Sequence, residues 1–231
     1  MGTIIGTLYP PSPGNTTNVP TSPATHVSII AITSTLARIF TGTLSDYLAP
    51  VTLPRRYRAS ISSLHSLSKS QHRFTVSRVA FLITFALILS LGQVLLAVGI
   101  AQQHGERFWA VSALIGSGYG AAFSLTPIII SVVWGVENFG TNWGIVAMVP
   151  ALGATIYSVI YSWFYQRAVA PRGLGVGAPE SDGPVEDMLC YGKECYAETF
   201  WIMSVSVWVA CGLWMWAWKG PAGWCRRGIA V

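Results

Sequence analysis

Charge is what this chain has least of. Only 10% of its 231 residues are Asp, Glu, Lys or Arg, against about a quarter in a soluble domain, and mean hydropathy is +0.50. That scarcity excludes an ordinary water-soluble domain. Acids number nine, and none lies deep in an apolar stretch. The paired carboxylates, His-rich cluster or Ser/His arrangement that an intramembrane enzyme needs are therefore missing, and no catalytic role is expected. Four cysteines and four histidines show no metal-ligand spacing: His65 and His72 sit in a basic loop without Cys or carboxylate neighbours. We expect neither metal nor cofactor. The net charge of +5 does not imply nucleic acid, because the cations lie in loops and form no basic face.

What is abundant is apolar, at 52% of the chain. These residues gather into five runs, 26–46, 79–100, 108–134, 143–165 and 200–218, each near the ~20 residues that a helix needs to span ~30 Å of hydrocarbon. The expected fold is an all-α membrane protein of five transmembrane helices. Before them, residues 1–25 hold a short apolar piece, Gly2 to Tyr9, followed by a Pro-, Ser- and Thr-rich linker. The piece reads as the last turns of a helix, not as a signal peptide, because no basic residues precede it.

Six cations (Arg55, Arg56, Arg58, Lys69, Arg73, Arg78) fall in the loop 47–78, and Lys219, Arg226 and Arg227 follow the fifth run. The positive-inside rule makes both regions cytoplasmic. The N-terminus and the acidic loop 166–199 then lie on the far side, lumenal or extracellular. Two further features agree: Cys190 and Cys195 are spaced for a small loop-closing disulfide or two free thiols, and Asn15-Thr16-Thr17 is a glycosylation sequon.

One helix carries a charge in its interior. At about 100° per residue, Ser34, Arg38, Thr41 and Ser45 share a sector roughly 60° wide, opposite Ile29, Ile32, Leu36, Ile39 and Phe40. A polar stripe of this kind faces other helices or a watered cavity, not lipid. Arg38 lies eight residues, ~12 Å, before Asp46, within snorkelling reach of the surface. Helical side chains tilt toward the N-terminus, however, which aims this one at mid-membrane. A cavity or ion-pair role and a structural role both stay open. In the third run Gly116 and Gly120 form a small-xxx-small pair suited to close helix packing. Pro127 and Pro150 interrupt the third and fourth runs at similar depth on either side of one short loop, an arrangement that suits rocking helices or ordinary proline tolerance.

Three stretches carry a resemblance. "ARIFTGTLSDYLAP" (37–50) resembles the cytoplasmic helix-end signature of the C-terminal half of major facilitator superfamily transporters. "GYGAAFSLTPIIISVVWGVENFGTNWGIVAMVPALGA" (118–154) and "CYGKECYAETF" (190–200) resemble the fungal monocarboxylate-transporter-homologue group, related to plant nodulin-like proteins. The resemblance implies the C-terminal six-helix bundle of a 12-helix fold, with Gly2–Tyr9 ending helix seven and the five runs as helices eight to twelve.

It also implies alternating-access transport of a small organic solute, with a vacuolar or plasma-membrane location. The implied partners are the bilayer, the solute, and either a missing N-terminal half or a second copy. Ser34, Arg38, Thr41, Tyr119, Pro127 and Pro150 become candidates to line the solute cavity. Gly42 and Asp46 become a cytoplasmic latch, with Glu137, Asn138 and Asn142 as candidate partners. The latch departs from the family pattern, because Tyr47-Leu48-Ala49-Pro50 stands where glycine and basic residues usually follow the aspartate. A non-transporting subunit or relic half is the rival reading, since half of a two-half machine encloses no central site.

Overall fold

The structure, a computed structural model, describes residues 4–5, 7–8, 22–48, 76–102, 104–173, 190, 192–227 and 229. Asn15, most of the loop 47–78 and residues 174–189 of the loop 166–199 lie outside them. The elements are α1 (Pro23–Leu48), α2 (Arg78–Val98), α3 (Phe108–Trp134), α4 (Phe139–Gly173) and α5 (Ala197–Lys219), with short 3-10 turns at Gly105–Arg107 and Lys193–Cys195. No strand occurs among the described residues. All five helices are long and apolar enough to cross a membrane.

Local chemistry sets the helix ends. Ser77 caps α2 by accepting the Val79 N–H at 3.2 Å, relieving one of the unpaired donors of the first turn. At the other end Gly99 takes φ 87°, and its N–H reaches the Leu95 and Leu96 carbonyls, a left-handed stop that glycine adopts without a Cβ penalty. α4 starts four residues before the apolar run at 143 and continues past Tyr165 to Gly173. Hydropathy marks where lipid-compatible side chains end, whereas the hydrogen-bonded backbone carries on. Arg167 sits 5.4 Å over the Trp163 ring on this extension.

α3 is the centre of the bundle, and its glycines explain how. A Cβ on Gly116 would lie 2.8 Å from the Ile30 carbonyl oxygen of α1, and one on Gly120 would collide with the Ser34 carbonyl. A Cβ on Gly118 would lie 2.7 Å from the Phe85 carbonyl oxygen of α2. Two faces of one helix thus take two backbones at close approach, where dispersion contacts accumulate without a hydrophobic driving force. Gly120→Ala should lower the stability of the purified chain in detergent by about 1–3 kcal/mol, because backbone cannot swing aside. Gly144, on α4, has nothing within 4 Å of its Cβ position. Gly144→Ala should leave the melting temperature near that of the parent, and equal melting of both variants would refute the seam.

At one end, here called the disulfide end, Ile4, Ile5 and Leu8 pack with Leu96, Ala101, Phe108, Val111, Tyr196 and Phe200. Cys190 and Cys195, joined as a disulfide with Cα atoms 5.9 Å apart, belong to the same core. Polar bonds complete it. Gln102 Nε2 donates to the Thr7 and Leu8 carbonyls at 3.3 and 3.1 Å, Gly192 N–H to Thr7 at 3.1 Å, and the Tyr196 hydroxyl to Gln102 Oε1 at 3.1 Å.

Burial, then the neighbouring Tyr161, pushes the Tyr196 hydroxyl up to about 12 from its ordinary 10.0. The folded state therefore holds this proton more tightly than the unfolded chain does. The stability it supplies is complete below pH 10 and is lost as pH rises toward 12. Alkaline unfolding monitored by circular dichroism should show that loss. Tyr196→Phe should flatten the slope between those values, and an unchanged slope would contradict the assignment.

At the opposite end Val79, Leu82, Leu125 and Ile129 form a second core beneath Trp214, Trp218 and Trp224. α4 stands at the edge of the bundle: none of its described residues is buried. One link to α5 is the Tyr157 hydroxyl, which donates to Ser206 Oγ at 2.6 Å.

Candidate functional site

The polar stripe of α1 divides in two. Ser34, Thr41 and Ser45 are buried, and the Thr41 hydroxyl donates back to the Ala37 carbonyl at 2.7 Å, so it costs no unpaired group inside the bundle. Ser45 accepts from Arg78 Nε at 3.2 Å, tying the end of α1 to the start of α2. Arg38 alone of the four is exposed.

Its position is fixed from α3. Ser124 Oγ donates to the Arg38 carbonyl at 3.2 Å, and Gly42 one turn later faces the same serine, a Cβ there lying at ordinary contact distance, 3.4 Å, from its Oγ. The guanidinium carbon lies 5.6 Å from the Phe123 ring centroid, within the range of cation–π attraction. Phe123 in turn lies 4.6 Å from Tyr119, centroid to centroid, with the rings tilted by 46°, one helical turn after it. Arg38, Phe123 and Tyr119 thus form a continuous cationic and aromatic surface spanning α1 and α3.

Beside it a cleft of about 180 Å³ opens between α3 and α4, lined by Phe123, Thr126, Trp143, Val146 and Pro150 among others. A proline lacks the N–H that would bond the carbonyl four residues earlier. Pro127 therefore leaves the Phe123 carbonyl without its helical donor, and Pro150 does the same to Val146. Both residues line this one cleft. Its walls are mostly apolar, and one of them, Phe123, is the residue whose ring meets the Arg38 guanidinium.

Of the residues singled out from the sequence, Arg38 and Tyr119 both meet Phe123 and Pro150 lines the cleft, whereas Pro127 stands one turn after Phe123 in α3 and is not part of the lining. Ser34 and Thr41 lie in the helix seam behind it. Phe123, Trp143 and Thr126 were not singled out. Phe123 had a usable signal, because it stands four residues after Tyr119 and four before Pro127, on one face of α3.

The candidate latch residues occupy the opposite end from the disulfide. Asp46 is exposed, as are Glu137 and Asn138. Asn142 donates from Nδ2 to the Asn138 carbonyl at 2.9 Å, closing the turn between α3 and α4. Among the described residues no hydrogen bond or ion pair joins Asp46 to these three. Gly42 serves the α1–α3 contact described above.

No family model matches the chain, and no solved structure matches it. Curated proteins do. Over all 231 residues the chain is 56% identical to a Neurospora crassa protein named probable transporter mch1, of which it covers 37%. The chain is a relative of the mch1 proteins. It is also 48% identical to the Gibberella zeae protein named probable transporter MCH1, covering 39% of it, and 50% identical over 237 aligned positions to probable transporter mch1 of Aspergillus fumigatus, covering 36%. The chain spans little more than a third of the length of these mch1 relatives. With five helices of membrane-spanning length and such relatives, it is an integral, multi-pass membrane protein.

Proposed function

We propose that this chain forms the C-terminal six-helix portion of a major-facilitator-type secondary transporter for a small organic solute. The observation that carries the reading is the match along the whole chain to mch1 proteins named as probable transporters. The surface formed by Arg38, Phe123 and Tyr119 with the α3–α4 cleft supports it, since transporters of this kind bind solutes at the interface of two repeats and rock one against the other. Arg38 then pairs with an anionic group of the solute, to which a guanidinium presents two parallel donors. The partner half supplies the opposing wall. Asp46 and Gly42 act as the latch at the cytoplasmic end, with the disulfide end lumenal in a vacuolar membrane, following the charge distribution between loops.

A test is available in the protein's own terms. Co-expressed with the complementary N-terminal stretch of the Neurospora crassa relative, the chain should co-purify with it, and the pair should accumulate radiolabelled small organic anions in proteoliposomes. A stable complex that moves no solute would favour the non-transporting subunit.

A further inference from the structure

The C-terminal turn after α5 carries a feature that transport does not use. Residues 220–227 fold back onto the helix end. Trp224 N–H donates to the Ala217 carbonyl and Cys225 N–H to the Trp218 carbonyl, both at 3.1 Å. The Trp224 ring stands edge-on to Trp134 at 6.3 Å and to Trp214 at 6.0 Å, which fastens the turn to α3 as well as α5. Gly223 is required by the fold-back, because a Cβ there would lie 2.6 Å from the Trp218 carbonyl oxygen. The turn is a fixed cap on the bundle.

On it Arg226 and Arg227 are exposed, as is Lys219 at the end of α5, and no acid occurs anywhere from residue 200 to the end. Among the described residues none of the three forms an ion pair. Lys219 Nζ instead lies 4.5 Å over the Trp218 ring. Beneath the turn is a pocket of about 240 Å³ walled by Trp216, Pro221, Trp224 and Arg227.

The location identifies the occupant. Trp216 is 69% exposed and within one turn of the end of a helix of membrane-spanning length, the depth at which tryptophan meets headgroups. Arg227 closes the pocket from the aqueous side. A ligand that fills it would place an apolar part against Trp216 and an anionic part at Arg227, with Arg226 exposed next to it in the turn. We propose that the Trp216–Arg227 pocket binds the headgroup of an anionic phospholipid, phosphate toward the arginines and glycerol backbone against Trp216. Basic residues at a membrane surface attract such lipids individually, and two arginines held together by the turn beside a pocket attract one lipid specifically.

The test uses the full chain in nanodiscs of equimolar phosphatidylserine and phosphatidylcholine, with retained lipids counted by native mass spectrometry. Phosphatidylserine should be enriched about 30-fold, at roughly fivefold per arginine. Arg226→Gln/Arg227→Gln should bring the two lipids to parity. Arg227→Gln alone, which leaves every backbone bond of the turn in place, should lose about fivefold. Arg107→Gln/Arg167→Gln, an equal charge change at the disulfide end, should retain the enrichment. Equal retention of both lipids by the parent chain, or equal loss in the control variant, would overturn the site. So would displacement of phosphatidylserine by inorganic phosphate alone, which would make the pocket a free-anion site.

Discussion

Arg38→Ala in the chain paired with its complementary half should cut uptake of the solute at sub-saturating concentration roughly ten- to hundredfold while leaving expression and melting temperature near those of the parent. Exposure is the reason the fold tolerates the change. The guanidinium is on the surface of α1, and Ser124 bonds the residue's backbone carbonyl, which alanine keeps. A charge-assisted hydrogen bond is worth about 1.5–3 kcal/mol, so affinity for an anionic solute should fall roughly ten- to hundredfold. Arg38→Lys should recover part of this, retaining the charge and losing the planar fork and its fit over Phe123. Phe123→Leu should weaken binding less than Arg38→Ala, because the cleft wall remains apolar. Loss of expression in Arg38→Ala with normal uptake per molecule would mean that the arginine serves the fold and not the solute.

Removal of the Cys190–Cys195 bridge should have the largest effect on stability of any change at the disulfide end. A loop this short contributes about 2 kcal/mol through the unfolded chain. Here both sulfurs also sit in the core that holds Ile4, Ile5 and Leu8. Cys190→Ala/Cys195→Ala should lower the melting temperature and also free the N-terminal segment. A cysteine placed at Ile5 should then react with a maleimide severalfold faster than in the bridged chain. Gln102→Ala should speed the same reaction without touching the bridge, because it deletes the donor to the Thr7 and Leu8 carbonyls. If labelling at position 5 is unchanged in both variants, these contacts do not hold the segment.

The five helices were legible because the chain has so few charges: each of the five runs is bounded by loops that hold nearly all of the charged residues. The length of α4 was not legible, since Arg167 and its neighbours read as loop while the backbone stayed helical. The wheel of α1 correctly gathered Ser34, Arg38, Thr41 and Ser45 into one sector. It could not show that Ser34, Thr41 and Ser45 are buried while the Arg38 side chain is exposed, because angular position on a helix does not say how far a long side chain reaches past the neighbouring backbone. Gly116 and Gly120 announced a close contact, and the structure adds that α1 is the partner and that Gly118 makes a second contact with α2. Gln102 carried no signal at all. A single amide after a helix end belongs to no motif, and its importance comes from the carbonyls that the fold brings to it.

Transport as proposed makes the α3–α4 cleft beside Arg38 part of the solute path. The most direct test is a cysteine at Thr126, inside the cleft, in a background where the free cysteines Cys211 and Cys225 are serine. With the complementary half present, a membrane-impermeant thiol reagent should label Thr126→Cys from the aqueous phase, and a transported anion should protect it in Arg38-containing protein but not in Arg38→Ala. Labelling by lipid-soluble reagents only, unaffected by any anion, would show that the cleft faces the bilayer and that the path lies elsewhere.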